Sequence, residues 1–475
     1  MNDTELCYLS ATEVLAHFKA GSLSPVELMD AVIARAQAVE PAINAFPMTY
    51  FDEARDAAKR AEAKYMKPGT RLRKLEGLPV AIKDETPIKG KSTPNGSLLY
   101  EGIVDDITHP APERILRAGG IVHARTATPE FSCAGFAYSK LWGVTRNPWN
   151  PDFTPGGSSG GAGAALAAGS TMLANGTDIG GSIRIPASAS GVVGYKPPFG
   201  RNPDLAPYNL DWYCHSGPLA RTVADCALLQ NVMTGPHPKD IVSLRPKLRI
   251  PPVLKDIKGW KIAYSLDLGV YAVDSEVRAN TLAAVDAFRE LGCSVEEVDL
   301  SWPRDLLTRV YDHFGAIMGA DSLRSLSPDD ERLCAYTREF LRRAANTTPA
   351  DLVESMELEG RMYETLGPIL QTYRLLLCPT LAVPSVGAEH DVSDSDFAID
   401  GVKVDAYLDW AMTPPFNMLA RCPVLCVPSG RASNGVPTGL QIVGRTYDDV
   451  SVFRAGSAFE RLNPWYANAE NRPPL

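Results

Sequence analysis

No stretch of this 475-residue chain holds the ~18 uninterrupted apolar residues of a membrane span, so no membrane partner is expected. The first residues, Met1-Asn2-Asp3-Thr4-Glu5, lack the basic start and apolar run of a secretory signal. Positive charge is short as well. Lys and Arg number 47 against 56 Asp and Glu, a net charge of -9. Such a chain repels phosphate backbones, and its basic residues gather nowhere beyond Arg71-Leu72-Arg73-Lys74, which excludes a nucleic-acid partner. A disulfide framework is missing too. Nine scattered cysteines, an odd number, point to reduced thiols and a cytoplasmic location. There is no internal repeat, no low-complexity tail and no long linker. With 45% hydrophobic and 22% charged residues, global disorder is excluded.

Glycine is the exception to this average composition. Nearly a third of the 38 glycines fall between Pro151 and Gly200, in a stretch with few long charged side chains. Backbone there must approach something closely.

The N-terminal part, about 1–70, reads as helices. Ser10 with Glu13, and Ser24-Pro25-Val26-Glu27, are capping patterns that open two of them, and a third runs over 51–65. Val26, Met29, Val32, Ile33 and Ala36 give the second one apolar face. Residues 78–84 then read as a buried strand ending in charge, followed by a helix at 112–118 and a strand at 120–125. Strands are expected at 260–264, 294–298, 375–379, 424–428 and 440–443, with a helix at 275–291. Residues 303–373 read as a helical insertion broken near 325–328 and 346–349, and the Pro-rich 245–252 as a surface crossover.

Two glycine-serine blocks carry the chemistry. The first is Thr154-Pro155-Gly156-Gly157-Ser158-Ser159-Gly160-Gly161. The second is Gly176-Thr177-Asp178-Ile179-Gly180-Gly181-Ser182-Ile183-Arg184-Ile185-Pro186. Successive amides of Ile179, Gly180, Gly181 and Ser182 can converge on a developing negative oxygen. Asp178 and Arg184 flank that turn symmetrically and are expected to pair and stiffen it. A serine nucleophile needs a base. None of the seven histidines sits in a triad context. Lys83, at the end of its apolar run, is the candidate, because burial drives a lysine toward the neutral form. Its structural alternative is an ion pair with the adjacent Asp84.

These residues bring the chain close to a known family. It resembles the amidase signature hydrolases in Gly77-Leu78-Pro79-Val80-Ala81-Ile82-Lys83-Asp84, Thr145-Arg146-Asn147-Pro148-Trp149-Asn150, both glycine-serine blocks and Gly191-Val192-Val193-Gly194-Tyr195-Lys196-Pro197. Downstream, Gly217 to Asp225 and Gly439 to Gly444 look similar as well. The resemblance implies one large three-layer α/β/α domain with a mixed, mainly parallel sheet. It has a core at about 71–230 and a C-terminal part at about 255–465. It also implies a Lys83, Ser158, Ser182 triad with Ser182 as nucleophile and Ser158 as the bridging serine, preceded by a cis peptide. The family's oxyanion hole maps onto the amides of Ile179, Gly180, Gly181 and Ser182. Ser159, Asp178 and Arg184 become the supporting hydrogen-bond shell.

The implied activity is hydrolysis of linear amides through a seryl acyl-enzyme, with a hydrophobic or aryl substrate favoured. A carbamate or ester hydrolase with the same triad is the alternative. No metal or organic cofactor is expected. The partner is a small-molecule amide, ester or carbamate, with a homodimer as the candidate assembly. Ala127 stands where the family more often has asparagine. Phe314-Gly315-Ala316-Ile317-Met318-Gly319-Ala320-Asp321-Ser322-Leu323 departs from the stretch found in the glutamine-hydrolysing amidotransferases of the family.

Other readings fare worse. Gly156-Gly157-Ser158-Ser159-Gly160 fits the esterase elbow Gly-x-Ser-x-Gly, but no strand precedes it and the Ser182 block is left unexplained. No Ser-x-x-Lys is present for a penicillin-recognising enzyme. An inactive scaffold does not need all three of Lys83, Ser158 and Ser182. Cys214 and His215 are expected to line or underlie the pocket, and Cys422 and Cys426 to be core thiols. Trp302, Tyr311, Phe314 and Tyr336 are expected mainly in the core, some of them closing over the acyl pocket.

Overall fold

A computed structural model describes residues 2–475. Both expected capping boxes form. Ser10 and Glu13 open the helix Ala11–Ala20, and Ser24 and Glu27 open Pro25–Ile43 with Pro25 in the first turn. A third helix spans Phe51–Met66.

Eleven strands form the central sheet. In chain order they are β1 (Met48–Thr49), β2 (Pro79–Lys83), β3 (Ile121–Thr126), β4 (Leu173–Asp178), β5 (Val193–Lys196) and β6 (His215–Ala220). There follow β7 (Lys261–Tyr264), β8 (Ser294–Glu297), β9 (Leu375–Pro379), β10 (Val424–Arg431) and β11 (Pro437–Gly444). Their spatial order is β1-β3-β2-β4-β6-β5-β10-β11-β9-β7-β8. The sheet is mixed, and its parallel pairings are β3 with β2, β2 with β4, β9 with β7 and β7 with β8. The middle, from β4 through β6, β5, β10 and β11 to β9, is antiparallel. The expected parallel character therefore holds in two flanking blocks and gives way between them. The flanking blocks have helical crossovers, such as Pro110–Arg117 between β2 and β3, which parallel pairing requires.

Alternation along the strands makes three layers. Val80 and Ile82 of β2 face one core and Ala81 the other. Leu375 and Leu377 of β9 likewise face away from Leu376 and Cys378. The first face is covered by Val223–Met233, Ser275–Glu290 and Asp449–Leu462, through side chains such as Leu229, Phe288 and Phe453. The second is covered by the small-residue helix Gly160–Ala167, by Arg184–Ser190 and by the insertion.

The insertion is helical, as Leu306–Phe314, Gly315–Gly319, Ala335–Ala345 and Pro349–Thr372, with its breaks near the expected places. The Pro-rich 245–252 runs without regular structure and mostly exposed. Strands β4, β5 and β6 escaped the sequence reading. Their glycine, serine, threonine and asparagine content hides the apolar pattern, and their extended form comes from pairing with neighbours. Among the described residues, no helix is long and apolar enough to cross a membrane.

Candidate active site

Three chain turns meet at one end of the sheet. Lys83 is the last residue of β2 and is fully buried. Its backbone amide donates to Asn175 Oδ1 on β4 at 2.9 Å, which fixes where the side chain starts. Its Nζ lies 2.7 Å from Ser158 Oγ and 2.7 Å from Thr177 Oγ1, and 2.7 Å from Glu85 Oε2. Burial lowers the Lys83 pKa below the ordinary lysine value, against an opposing pull from the Glu85 charge. The Asp84 pairing does not form. Asp84 Oδ2 accepts instead from Trp142 Nε1 at 2.9 Å and from the Gly96 amide at 3.2 Å. Burial pushes that carboxyl up to about 6.

Ser158 follows a cis Gly157–Ser158 peptide. Only glycine fits at 157, because a Cβ there would sit 2.1 Å from the Phe136 carbonyl oxygen. The next amide, of Ser159, donates to the Ser182 carbonyl at 3.2 Å and ties the two glycine-serine blocks together. Ser159 Oγ, fully buried, points to the Thr177 carbonyl at 3.5 Å. Ser182 sits in the turn between β4 and the helix Arg184–Ser190, 7% exposed. Its hydroxyl has no hydrogen-bond partner among the described residues, so Lys83 and Ser158 are joined while Ser158 and Ser182 are not.

The turn is braced from below. Asp178 and Arg184, both fully buried, form a two-point pair with Nε to Oδ2 at 2.9 Å and Nη2 to Oδ1 at 2.8 Å. Burial alone would raise the Asp178 carboxyl. The Arg184 charge and hydrogen bonds outweigh it and hold it well below the usual carboxylate range. Arg184 also donates to Gln441 Oε1 at 2.8 Å and Asn417 Oδ1 at 2.6 Å, and Asn417 Nδ2 returns to Asp178 Oδ1 at 2.9 Å. Asp178 Oδ1 further accepts from the Gly181 amide at 2.9 Å, and Oδ2 from Ile183 at 3.2 Å. This alters the expected nest of four amides. Gly181 is committed to Asp178, while the amides of Ile179, Gly180 and Ser182 have no acceptor among the described residues. Gly181 itself has φ 126°, and a Cβ would stand 1.9 Å from Thr413 Oγ1, which donates to the Gly180 carbonyl at 2.7 Å.

Two cavities open on this centre. A small apolar one of about 30 Å³ is lined by Ser182, Gly180, Phe314, Phe340, Tyr407 and Leu408. A larger one of about 410 Å³ is lined by Ser158, Thr177, Glu85, Asp204, Tyr208 and His215 among others. Ile179, Ser132 and Met318 border both and divide them. Of the insertion aromatics, Phe314 reaches the small cavity, while Trp302 and Tyr336 are core. Cys214 joins His215 on the large cavity, and the His215 Nε2 is buried without a partner. Cys422 and Cys426 are buried free thiols. Ala127 packs beside Gly161 and lines neither cavity, although Phe131 and Ser132 just beyond it do. Among the described residues, no group of three or more His, Cys, Asp or Glu side chains can hold a metal ion.

Glu85 and Thr177 were not singled out from the sequence. Their only signal was closeness in sequence, Glu85 two residues after Lys83 and Thr177 next to Asp178. Thr413 and Asn417 gave none, and Gln441 only its place within Gly439 to Gly444, since all three reach the site from more than 200 residues away.

Comparison with known proteins agrees over nearly the whole length. The family model described as Amidase matches residues 27–453. An acylamidase from Rhodococcus erythropolis is 35% identical, with 100% of this chain and 98% of that protein aligned. The A component of a glutamyl-tRNA(Gln) amidotransferase from Chloroflexus aurantiacus is 31% identical, with 99% of each chain aligned. Among solved structures, a bacterial aryl acylamidase of the amidase signature family superposes with a TM-score of 0.91 at 29% identity, covering 98% of this chain and 99% of that one.

Proposed function

This chain belongs to the amidase family, and from that footing we propose that it hydrolyses linear amides through an acyl-enzyme on Ser182. The observation that carries the reading is the buried Lys83 Nζ, 2.7 Å from Ser158 Oγ and carrying a lowered pKa. Neutral Lys83 takes a proton from Ser158, and Ser158 takes one from Ser182 as its oxygen attacks the carbonyl carbon. The oxyanion is received by the amides of Ile179, Gly180 and Ser182, with Gly181 held by Asp178 to shape the turn. The same relay then returns the proton to the leaving nitrogen, which amides require because an amide anion leaves poorly. Water attacks the acyl-enzyme by the reverse proton route.

The two cavities divide the substrate. The proton donor to the leaving nitrogen is Ser158, which borders the large cavity, so the amine half belongs there. The acyl half then lies against Ser182 in the small apolar cavity of about 30 Å³. A water-sized group needs roughly 10–15 Å³ of such space. The acyl group is therefore compact and apolar, and the amine half, aryl or otherwise bulky, is the larger one. Carbamates and esters that divide the same way are alternative substrates of the same triad. A glutamine acyl half would bring charges into a cavity lined by no charged side chain, which argues against the amidotransferase reading. The nine free thiols fit a reducing cytoplasm.

The test is a panel of anilides with acyl chains from acetyl to octanoyl, with aliphatic amides, a carbamate and glutamine beside them. Short-chain anilides should be turned over best. A preference for octanoyl, or ammonia release from glutamine alone, would overturn the assignment.

A further inference from the structure

Lys83 Nζ has three neighbours at 2.7 Å, Ser158 Oγ, Thr177 Oγ1 and Glu85 Oε2. That is one acceptor for each proton of an ammonium group. A base must give one of those protons up, and the neighbour that resists is the carboxylate. Glu85 is no loose surface charge. Its Oε2 also accepts from Thr177 Oγ1 at 2.6 Å, which pins it onto Nζ. Its side chain is 30% exposed and borders the large cavity, while Lys83 is sealed from solvent.

We propose that Glu85 is a positioning residue that acts through Lys83: its carboxylate is the counter-ion that sets the pH at which Lys83 becomes a base. The proposal rests on the Lys83 base reading above. The other charged groups facing this centre cannot take over. Asp178, the last residue of β4, is spent on Arg184, the Gly181 amide and Asn417. Asp84 turns to Trp142 and Gly96. His215, opposite Asp178 in the β4–β6 register, is kept neutral by burial. Asp204 and Asp321, on the far wall of the cavity, bond His109 and Tyr208. Glu85 is the carboxylate in contact with Nζ, at the point where the cavity admits water. With it in place, the lysine stays an ammonium to higher pH. Neutralised, the same geometry yields the free base at lower pH.

The experiment is the pH profile of kcat/KM on one anilide for wild type, Glu85→Gln and Glu85→Asp, with thermal melts to establish folding. An opposite charge at this distance is worth about 1–3 pH units. The acid limb in Glu85→Gln should therefore move down by at least about one unit. Turnover at the foot of the wild-type limb should then rise about tenfold relative to each enzyme's plateau. Glu85→Asp keeps the charge, and its limb should stay near the wild type. Glu85→Ser provides a second neutral side chain should Glu85→Gln not fold. A limb that stays put or moves up in a folded neutral variant overturns the proposal, and so does a Glu85→Asp limb displaced as far as the neutral one. A folded neutral variant inactive at every pH also overturns it. Lys83→Ala on the same anilide separates the two levels. Undiminished turnover there would remove the base reading itself, whereas its loss together with an unmoved Glu85→Gln limb would remove only the role of Glu85.

Discussion

Lys83 Nζ and Ser158 Oγ, 75 residues apart in sequence, stand 2.7 Å from each other, both buried, at the end of β2. A lysine this enclosed loses the solvation that favours its charge. In the proposed mechanism this gives the hydroxyl beside it a proton acceptor without any histidine.

Lys83→Ala should separate amides from esters. Both need the nucleophile activated, but only the amide needs its leaving nitrogen protonated. Proton transfer of this kind contributes about 10²–10⁴-fold. The kcat/KM of an anilide should fall by more than that of the matching nitrophenyl ester. Equal losses would mean that the lysine only supports the fold.

Gly181→Ala should damage the turn without touching a reacting atom. Its methyl would meet Thr413 Oγ1 at 1.9 Å and occupy a backbone with φ 126°. Overpacking of this kind costs roughly 1–3 kcal/mol. A drop in melting temperature together with a fall in kcat is expected. Unchanged values for both would count against the tight Gly180–Thr413 clamp.

Arg184→Met strands a buried carboxylate. Removing one partner of such a pair costs about 3–5 kcal/mol. The pH dependence carries a definite sign. Asp178 is depressed in the fold. Its contribution to stability is therefore present above the ordinary carboxylate value of about 4 and is lost as pH falls through the lower folded value. Denaturant titrations between pH 7 and pH 2 should show wild-type stability falling in that acid window. The double variant Asp178→Asn with Arg184→Met should lose less there, and an identical acid slope would contradict the pairing.

Phe314→Ala should open the small cavity. Phe314 stands so close to Gly180 that a Cβ on the glycine would lie 2.9 Å from its ring. The ratio of kcat/KM for butyryl over acetyl anilide should rise by about 10–200-fold, the usual worth of methylene-sized space. A rise for larger amines instead would exchange the two cavities.

Much of this was legible in the chain. Capping at Ser10 and Ser24 and the apolar runs of β2, β9, β10 and β11 announced local structure, because short-range patterning decides it there. The two glycine-serine blocks and Lys83 marked segments that do meet in the fold, with Lys83 Nζ on Ser158 Oγ and the Ser159 amide on the Ser182 carbonyl. Strands β4 to β6 were hidden by their small polar residues. The commitment of the Gly181 amide to Asp178 follows from how the turn closes, which spacing alone does not determine. Glu85 becomes meaningful only once Nζ is seen to have three acceptors. The bracing of Arg184 by Asn417 and Gln441 joins segments that only the closed sheet brings together.

The central claim is that Ser182 is the nucleophile. Labelling by a fluorophosphonate, read by intact mass on wild type and on folded Ser182→Ala, tests it most directly. The account predicts one adduct on the wild type, located on the peptide containing Ser182, and none on Ser182→Ala together with loss of turnover. An adduct on Ser182→Ala at the wild-type rate, or turnover surviving in it, would contradict the account.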